Sequence, residues 1–124
     1  MATIKSYTDI SQSKKLAEIL PLESADMHYC LEKRDVATGY EISIVPLIQV
    51  RKFKGKCNIV DVQPAWSLAA LLSVLPEIQG DKPIISLYDN YITYPLINDL
   101  HTKADNSIDA CYELILKLHE LNLL

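Results

Sequence analysis

Three residues with metal-binding side chains alternate along one short stretch of the sequence. Asp26, His28 and Cys30 occupy every second position of DMHYC, so in an extended strand their side chains would point to one face. With His101 or His119 they would offer the oxygen, nitrogen and sulfur ligands that zinc accepts. Structural zinc sites usually have closer, paired ligand spacings, and no such pairs are present here. We therefore expect no metal site and interpret DMHYC as a polar strand edge.

A small hydrolase is a second hypothesis for the reactive residues. Nucleophilic catalysis needs a nucleophile, a base and an orienting acid that converge in space, and the chain contains these residue types in Ser67, Cys111, His28, His101 and Asp105. The sequence lacks GxSxG and HExxH, and its 3 glycines are too far apart for a phosphate-binding loop or a dinucleotide fingerprint. We expect no catalytic residue and no cofactor. A hydrolase whose pocket gathers His28, His101 and a carboxylate stays the enzymatic alternative.

Nucleic-acid binding is an alternative from another class, and it depends on the segment RKFKGK. Arg51, Lys52, Lys54 and Lys56 surround Phe53, and basic residues around an aromatic ring can hold a single strand by charge and stacking. A hairpin tip whose lysines protect a sheet edge explains the same residues. The net charge of −4 does not favour a polyanionic partner. This charge is uneven, because residues 1–60 carry 9 basic and 7 acidic side chains and residues 61–124 carry 3 and 9.

The first half of the chain predicts one helix followed by strands. A helix near Ile10 to Leu20, capped by Thr8 or Asp9, should end at Pro21 because proline cannot continue the backbone hydrogen bonds. A less regular stretch follows, with a turn at residues 38–39. Residues 42–50 suit strands, with Pro46 indicating an edge strand or a bulge. Residues 52–62 predict a hairpin that turns at 54–56.

The segment PAWSLAALLSVLP contains the only tryptophan of the chain and predicts a buried helix. Ser67 is a suitable N-cap, and the leucines recur at helical spacing. Ala69, Ala70 and Val74 make the other faces apolar as well, and a helix that is apolar all round is buried on several sides. The recurring residues are Leu68, Leu71, Leu72 and Leu75.

The second half predicts a turn at Gly80-Asp81, two strands joined near Asp89-Asn90 and a C-terminal helix. HTKAD, residues 101–105, is interpreted as a cap and a solvated loop before that helix. Asn106 or Ser107 should cap it, and Lys117 and His119 suit its negative C-terminal end. Its predicted buried stripe consists of Ile108, Cys111, Tyr112, Ile115, Leu118 and Leu121.

Length and composition predict one α+β domain over residues 1–124, with antiparallel strands, about three helices and an amphipathic C-terminal helix. The chain is 49% hydrophobic and 23% charged, which is ordinary for a soluble globular protein. No apolar run approaches the roughly 18 residues that span a bilayer. Cys30, Cys57 and Cys111 are odd in number and widely separated, and no apolar signal segment precedes them, so we expect free thiols in the cytoplasm.

Three stretches of the sequence together form a familiar pattern: SADMHY (24–29), PAWSLAALLSVLP (64–76) and TKADNSIDACYELILKLHELNLL (102–124). They resemble a group of uncharacterised small proteins encoded in prophages and other mobile elements of gut Bacteroidetes-type bacteria. The resemblance covers residues 8–124 and is one of overall pattern. It implies a cytoplasmic protein of phage or mobile-element origin and assigns no functional residue.

These observations favour a non-enzymatic accessory protein that acts by protein–protein contact. The finishing sequence LHELNLL places four leucines near the C-terminus, where a small monomer would struggle to bury them all, so we expect a homo-oligomer or a complex with another protein and no membrane. The predicted interaction surface consists of Trp66, Leu68, Leu72, Leu75, Leu121 and Leu124.

Overall fold

The computed structural model describes residues 5–33, 40–46 and 59–124, and these residues form the expected α+β fold with antiparallel sheets. They fall into two compact units. One unit contains the described residues of Asp9–Ser67, and the other contains residues 5–8 and Leu68–Leu124. None of the helices in the described residues is long and apolar enough to cross a membrane. The interpretation of 1–124 as one domain stays a prediction.

Helix α1, Ile10–Ile19, begins and ends where the sequence predicts. The Gln12 backbone N–H donates to Asp9 Oδ1 (2.7 Å), and the Asp9 backbone N–H donates to Gln12 Oε1 (3.1 Å), which completes a capping box. The helix stops before Pro21, and Leu16 and Leu20 are buried. A short 3₁₀ turn over residues 22–24 then leads into the first sheet.

The first sheet has strand β1 in its centre. Strand β1, Met27–Lys33, pairs antiparallel with β2, Tyr40–Pro46, on one side and with β3, Ile59–Ala65, on the other. The expectation of an irregular stretch here, and of a polar strand edge at DMHYC, is therefore wrong. Pro46 ends β2, which is an edge strand of the described sheet as predicted, and α1 packs against β3. The predicted turns at 38–39 and 54–56 and residues 47–50 lie outside the described residues.

Pro64 lies within β3 opposite His28, although the sequence places it before the next helix. Strand β3 is an edge of the described sheet, where the missing N–H of a proline is tolerated. Helix α2 begins at Leu68 and ends at Val74. Of its residues only Ala70 and Leu71 are buried, and Ala69 is exposed, so α2 is not buried on all sides.

The second sheet is a meander of three short antiparallel strands. They are β4, Ile84–Ser86, β5, Tyr91–Thr93, and β6, His101–Lys103, in that spatial order. The joint between β4 and β5 lies at residues 87–90 as predicted. The solvated loop predicted for residues 101–105 is wrong in part, because His101 to Lys103 pair with β5.

Helix α3, Ser107–Glu120, packs against α2, β5 and β6 and forms the core of its unit. Asn106 caps it by accepting the Asp109 backbone N–H on Oδ1 (2.8 Å). The predicted stripe is right for four positions and wrong for two, since Tyr112 is half-buried and Leu121 is exposed. The fully buried residues of α3 are Ile108, Ala110, Cys111, Leu114, Ile115 and Leu118.

Candidate interaction surface

The β4–β5–β6 meander has one covered face and one open face. Cross-strand partners lie on the same face of a sheet, and the row Ile85–Ile92–Thr102 faces α3, where Thr102 Oγ1 donates to the Ala110 carbonyl (2.5 Å). Ile92 is fully buried on that face. The two neighbouring rows therefore lie on the opposite face. They are Ile84–Thr93–His101 and Ser86–Tyr91–Lys103.

Buried hydrogen bonds fix the start of β4. Gln79 and Gly80 both have positive φ (51° and 79°), as in a type I′ turn, and Ile78 and Asp81 exchange backbone hydrogen bonds across it. Asp81 is buried, and its Oδ2 accepts the Leu96 backbone N–H (2.8 Å), which joins the start of β4 to the loop after β5. The start of β4 is thus held by its neighbours.

Tyr94 anchors the same loop from inside the unit. Its side chain is fully buried, and its hydroxyl donates to the Pro76 carbonyl (2.6 Å). Burial, together with the negative charge of Asp81, raises the pKa of Tyr94 to about 12. The phenol therefore stays protonated at neutral pH and keeps donating this hydrogen bond.

Asn90 anchors the other end of the β4–β5 hairpin. It has a φ of 51°, which asparagine tolerates better than most residues. Its Nδ2 donates to the Asp105 carbonyl (3.2 Å), and its Oδ1 accepts the Ser107 hydroxyl (3.1 Å). The hairpin tip is consequently tied to the start of α3.

Four large apolar side chains lie exposed on β4, in the β4–β5 hairpin loop and in the loop after β5, and we call them the β4 rim. Their exposed fractions are 59% for Ile84, 64% for Leu87, 96% for Tyr88 and 80% for Leu96. Single exposed apolar residues are normal, whereas contiguous exposed apolar patches are typical of protein–protein contact sites. The β4 rim was not predicted, and its only signal in the sequence is the apolar pair Leu87-Tyr88 in the predicted hairpin.

The predicted interaction residues are differently placed. Trp66 is fully buried, with its Nε1–H donating to Ser24 Oγ (2.9 Å), and Leu75 is also buried, so neither can present a surface in this conformation. Leu68, Leu72 and Leu124 are half-buried. Leu121 is 53% exposed just after α3. An interaction surface at Leu121 stays a prediction.

Of the residues considered for metal binding or catalysis, Asp26 and Ser67 are hydrogen-bonded to each other. Asp26 accepts the Ser67 backbone N–H on Oδ1 (2.8 Å) and the Ser67 hydroxyl on Oδ2, which joins the start of β1 to the end of β3. His28 and His101 belong to different units. Among the residues that the structure describes, no three histidine, cysteine or carboxylate side chains are grouped so that they could hold a metal ion.

Two of these residues have perturbed proton affinities. Burial lowers the pKa of His28, whose buried Nδ1 has no hydrogen-bond partner. Burial also raises the pKa of the fully buried Cys111 thiol to about 12, so almost no thiolate exists at neutral pH to act as a nucleophile. The basic segment with Arg51, Lys52, Phe53, Lys54 and Lys56 lies outside the described residues, as does the Cys30 side chain.

No family model, curated protein or solved structure matches this chain. The resemblance to small proteins of prophages and mobile elements therefore stays a prediction.

Proposed function

We propose that this chain is a non-enzymatic binding protein that contacts another protein through the β4 rim. The observation that carries the proposal is the exposure of Ile84, Leu87, Tyr88 and Leu96 on β4 and on the two anchored loops beside it. Burying an exposed side chain of this size is worth about 1.5–3 kcal/mol. Four of them supply a substantial driving force for association.

The anchoring of the edge supports the same function. Asp81 and Tyr94 fix the start of β4, and Asn90 fixes the hairpin tip. A surface that is already ordered loses little conformational entropy when a partner binds, so more of the contact energy appears as affinity. The setting we propose is that of a cytoplasmic accessory protein of a phage or mobile element.

Charge does not favour nucleic acid at this surface. The unit that holds the β4 rim, residues 5–8 and 68–124, contains 4 lysines and 8 carboxylate side chains. Phosphate contacts supply most of the affinity of nucleic-acid-binding proteins, and they require clustered basic residues. A protein partner with an apolar contact surface is the better match.

A capture experiment with matched variants tests the proposal. The tagged chain, a rim variant (Leu87→Ser, Tyr88→Ser, Leu96→Ser) and a control (Leu22→Ser, exposed in the other unit) are incubated with nuclease-treated host lysate. We expect the wild-type chain and the control to retain protein, including endogenous copies of this chain, and the rim variant to lose it. Equal retention by all three folded proteins would exclude the β4 rim as the contact surface.

A further inference from the structure

We infer that the partner of the β4 rim is a second copy of this chain, paired across a two-fold axis at β4. This inference rests on the proposed function and names its partner. It begins from the position of β4, which is an edge strand of the meander within the described residues. An edge strand presents backbone N–H and C=O groups that another strand can pair with.

The side chains at the two ends of β4 carry opposite charges, and a two-fold axis through the strand would bring these opposite charges together. Lys82 lies two residues before the strand and Asp89 three residues after it, and both are exposed. Within one chain they are at opposite ends of β4. When two copies of β4 pair antiparallel, the start of one strand meets the end of the other, so Lys82 approaches Asp89 of the second copy. Symmetry makes this contact twice.

The apolar residues of the β4 rim likewise lie at both ends of β4. Leu96 is held beside the start of β4 by Asp81, whereas Leu87 and Tyr88 follow its end. With Ile85 on the axis, Leu96 of one copy approaches Leu87 and Tyr88 of the other. This register also keeps the open face continuous, because Ile84 then lies opposite Ser86 and both residues belong to that face.

The available area predicts a weak dimer. The β4 rim consists of only four side chains, whereas a standard stable interface buries roughly 800 Å² and about 20–30 residues on each partner. Pro83 has no backbone N–H to donate, so strand pairing is confined to the three residues of β4. A short pairing of this kind depends on the charge contacts, which select the antiparallel register and disfavour other partners.

Sedimentation velocity over about 5 to 500 µM tests the inference, in the range where interfaces of this size associate. We expect the wild-type chain to shift reversibly from monomer to dimer as the concentration increases. Lys82→Glu alone and Asp89→Lys alone should each weaken the dimer about tenfold or more, because each places like charges together twice. An equimolar mixture of the two variants should form a heterodimer of about wild-type strength, since both of its charge contacts are then attractive.

Lys103→Glu is the matched control, because Lys103 is exposed on β6 at the opposite edge of the sheet. Mixing that variant with Asp89→Lys should restore nothing. A wild-type chain that stays monomeric, single variants that dimerise normally, or a mixture that fails to recover would each overturn the inference. A wild-type monomer whose rim still captures a host protein would refute the dimer and leave the proposed function standing. If the chain neither dimerises in solution nor captures a protein through the rim, both fail.

Discussion

Replacing the N-cap of α3 should destabilise the unit that this helix organises. Asn106 is only 5% exposed, and its side chain hydrogen-bonds both the backbone and the carboxylate of Asp109. Oδ1 accepts the Asp109 backbone N–H (2.8 Å), and Nδ2 donates to the Asp109 carboxylate (2.9 Å). Asn106→Ala removes both bonds and leaves a helix N–H without its acceptor.

The expected cost follows from these contacts. Loss of an N-cap side chain destabilises proteins by about 0.5–2 kcal/mol. The upper half of this range applies here, because the site is buried and water cannot easily replace the lost acceptor. For a chain of this size about 1–2 kcal/mol corresponds to a decrease in Tm of roughly 3–8 °C.

Thermal unfolding followed by far-UV circular dichroism, together with urea unfolding, measures the effect. Asn106→Ser is the matched variant, because serine keeps an acceptor oxygen for the Asp109 backbone N–H but lacks the Nδ2 group that reaches the carboxylate, and we expect about half the loss. Lys5 Nζ also contacts the Asp109 carboxylate (2.8 Å), so Lys5→Ala should cost less in the Asn106→Ala background than in wild type. An Asn106→Ala protein with an unchanged Tm and urea midpoint would refute this account of the cap.

Three further results are expected. Because burial lowers the pKa of His28 below its ordinary 6.5, protonation favours the unfolded chain, so the free energy of unfolding should decrease as the pH falls below about 6.5. His28→Gln should flatten that dependence in urea titrations, and an unchanged slope would contradict it. Trp66, the sole tryptophan, is fully buried, so iodide should quench its fluorescence only after unfolding; strong quenching of the native protein would place the ring at the surface. In a Cys30→Ser, Cys57→Ser variant, burial and the raised pKa of Cys111 should keep the thiol unreactive toward a thiol reagent at pH 8 until denaturant is added, whereas rapid native labelling would argue against this burial.

Local signals in the sequence were sufficient for the helices. Asp9 and Pro21 delimit α1, and Asn106 with the apolar periodicity locates α3. These signals act within one or two turns of the chain, so they can be recognised without knowledge of the tertiary structure. The hairpin joint at Asp89-Asn90 was predicted for the same reason.

Elements that depend on distant partners could not be predicted in this way. Strand β1 does not alternate apolar and polar residues, and it is a strand because it pairs with both β2 and β3. Strand β6 is three polar or charged residues whose conformation comes from pairing with β5. Leu114 and Ala110 were missed because α3 contacts both α2 and the sheet, so its buried face is wider than one stripe.

The candidate surface was unpredictable for a related reason. Exposure depends on how the whole unit folds. From the sequence alone, a single apolar residue such as Leu96 is equally compatible with a buried position in the core. Trp66 illustrates the same ambiguity, since a tryptophan suits both an interface and a core. Its burial depends on contacts with residues far away in the sequence, such as Ser24.

The contact between Lys5 and Asp109 bears on the order in which parts of this chain fold during synthesis. The two residues are 104 positions apart, yet both belong to the unit that contains α3. The unit formed from Asp9–Ser67 is continuous in sequence, so all of its residues are synthesised before α3. Residues 5–8 precede that unit but find their partners only after α3 has emerged, so we expect these residues to be among the last to become ordered.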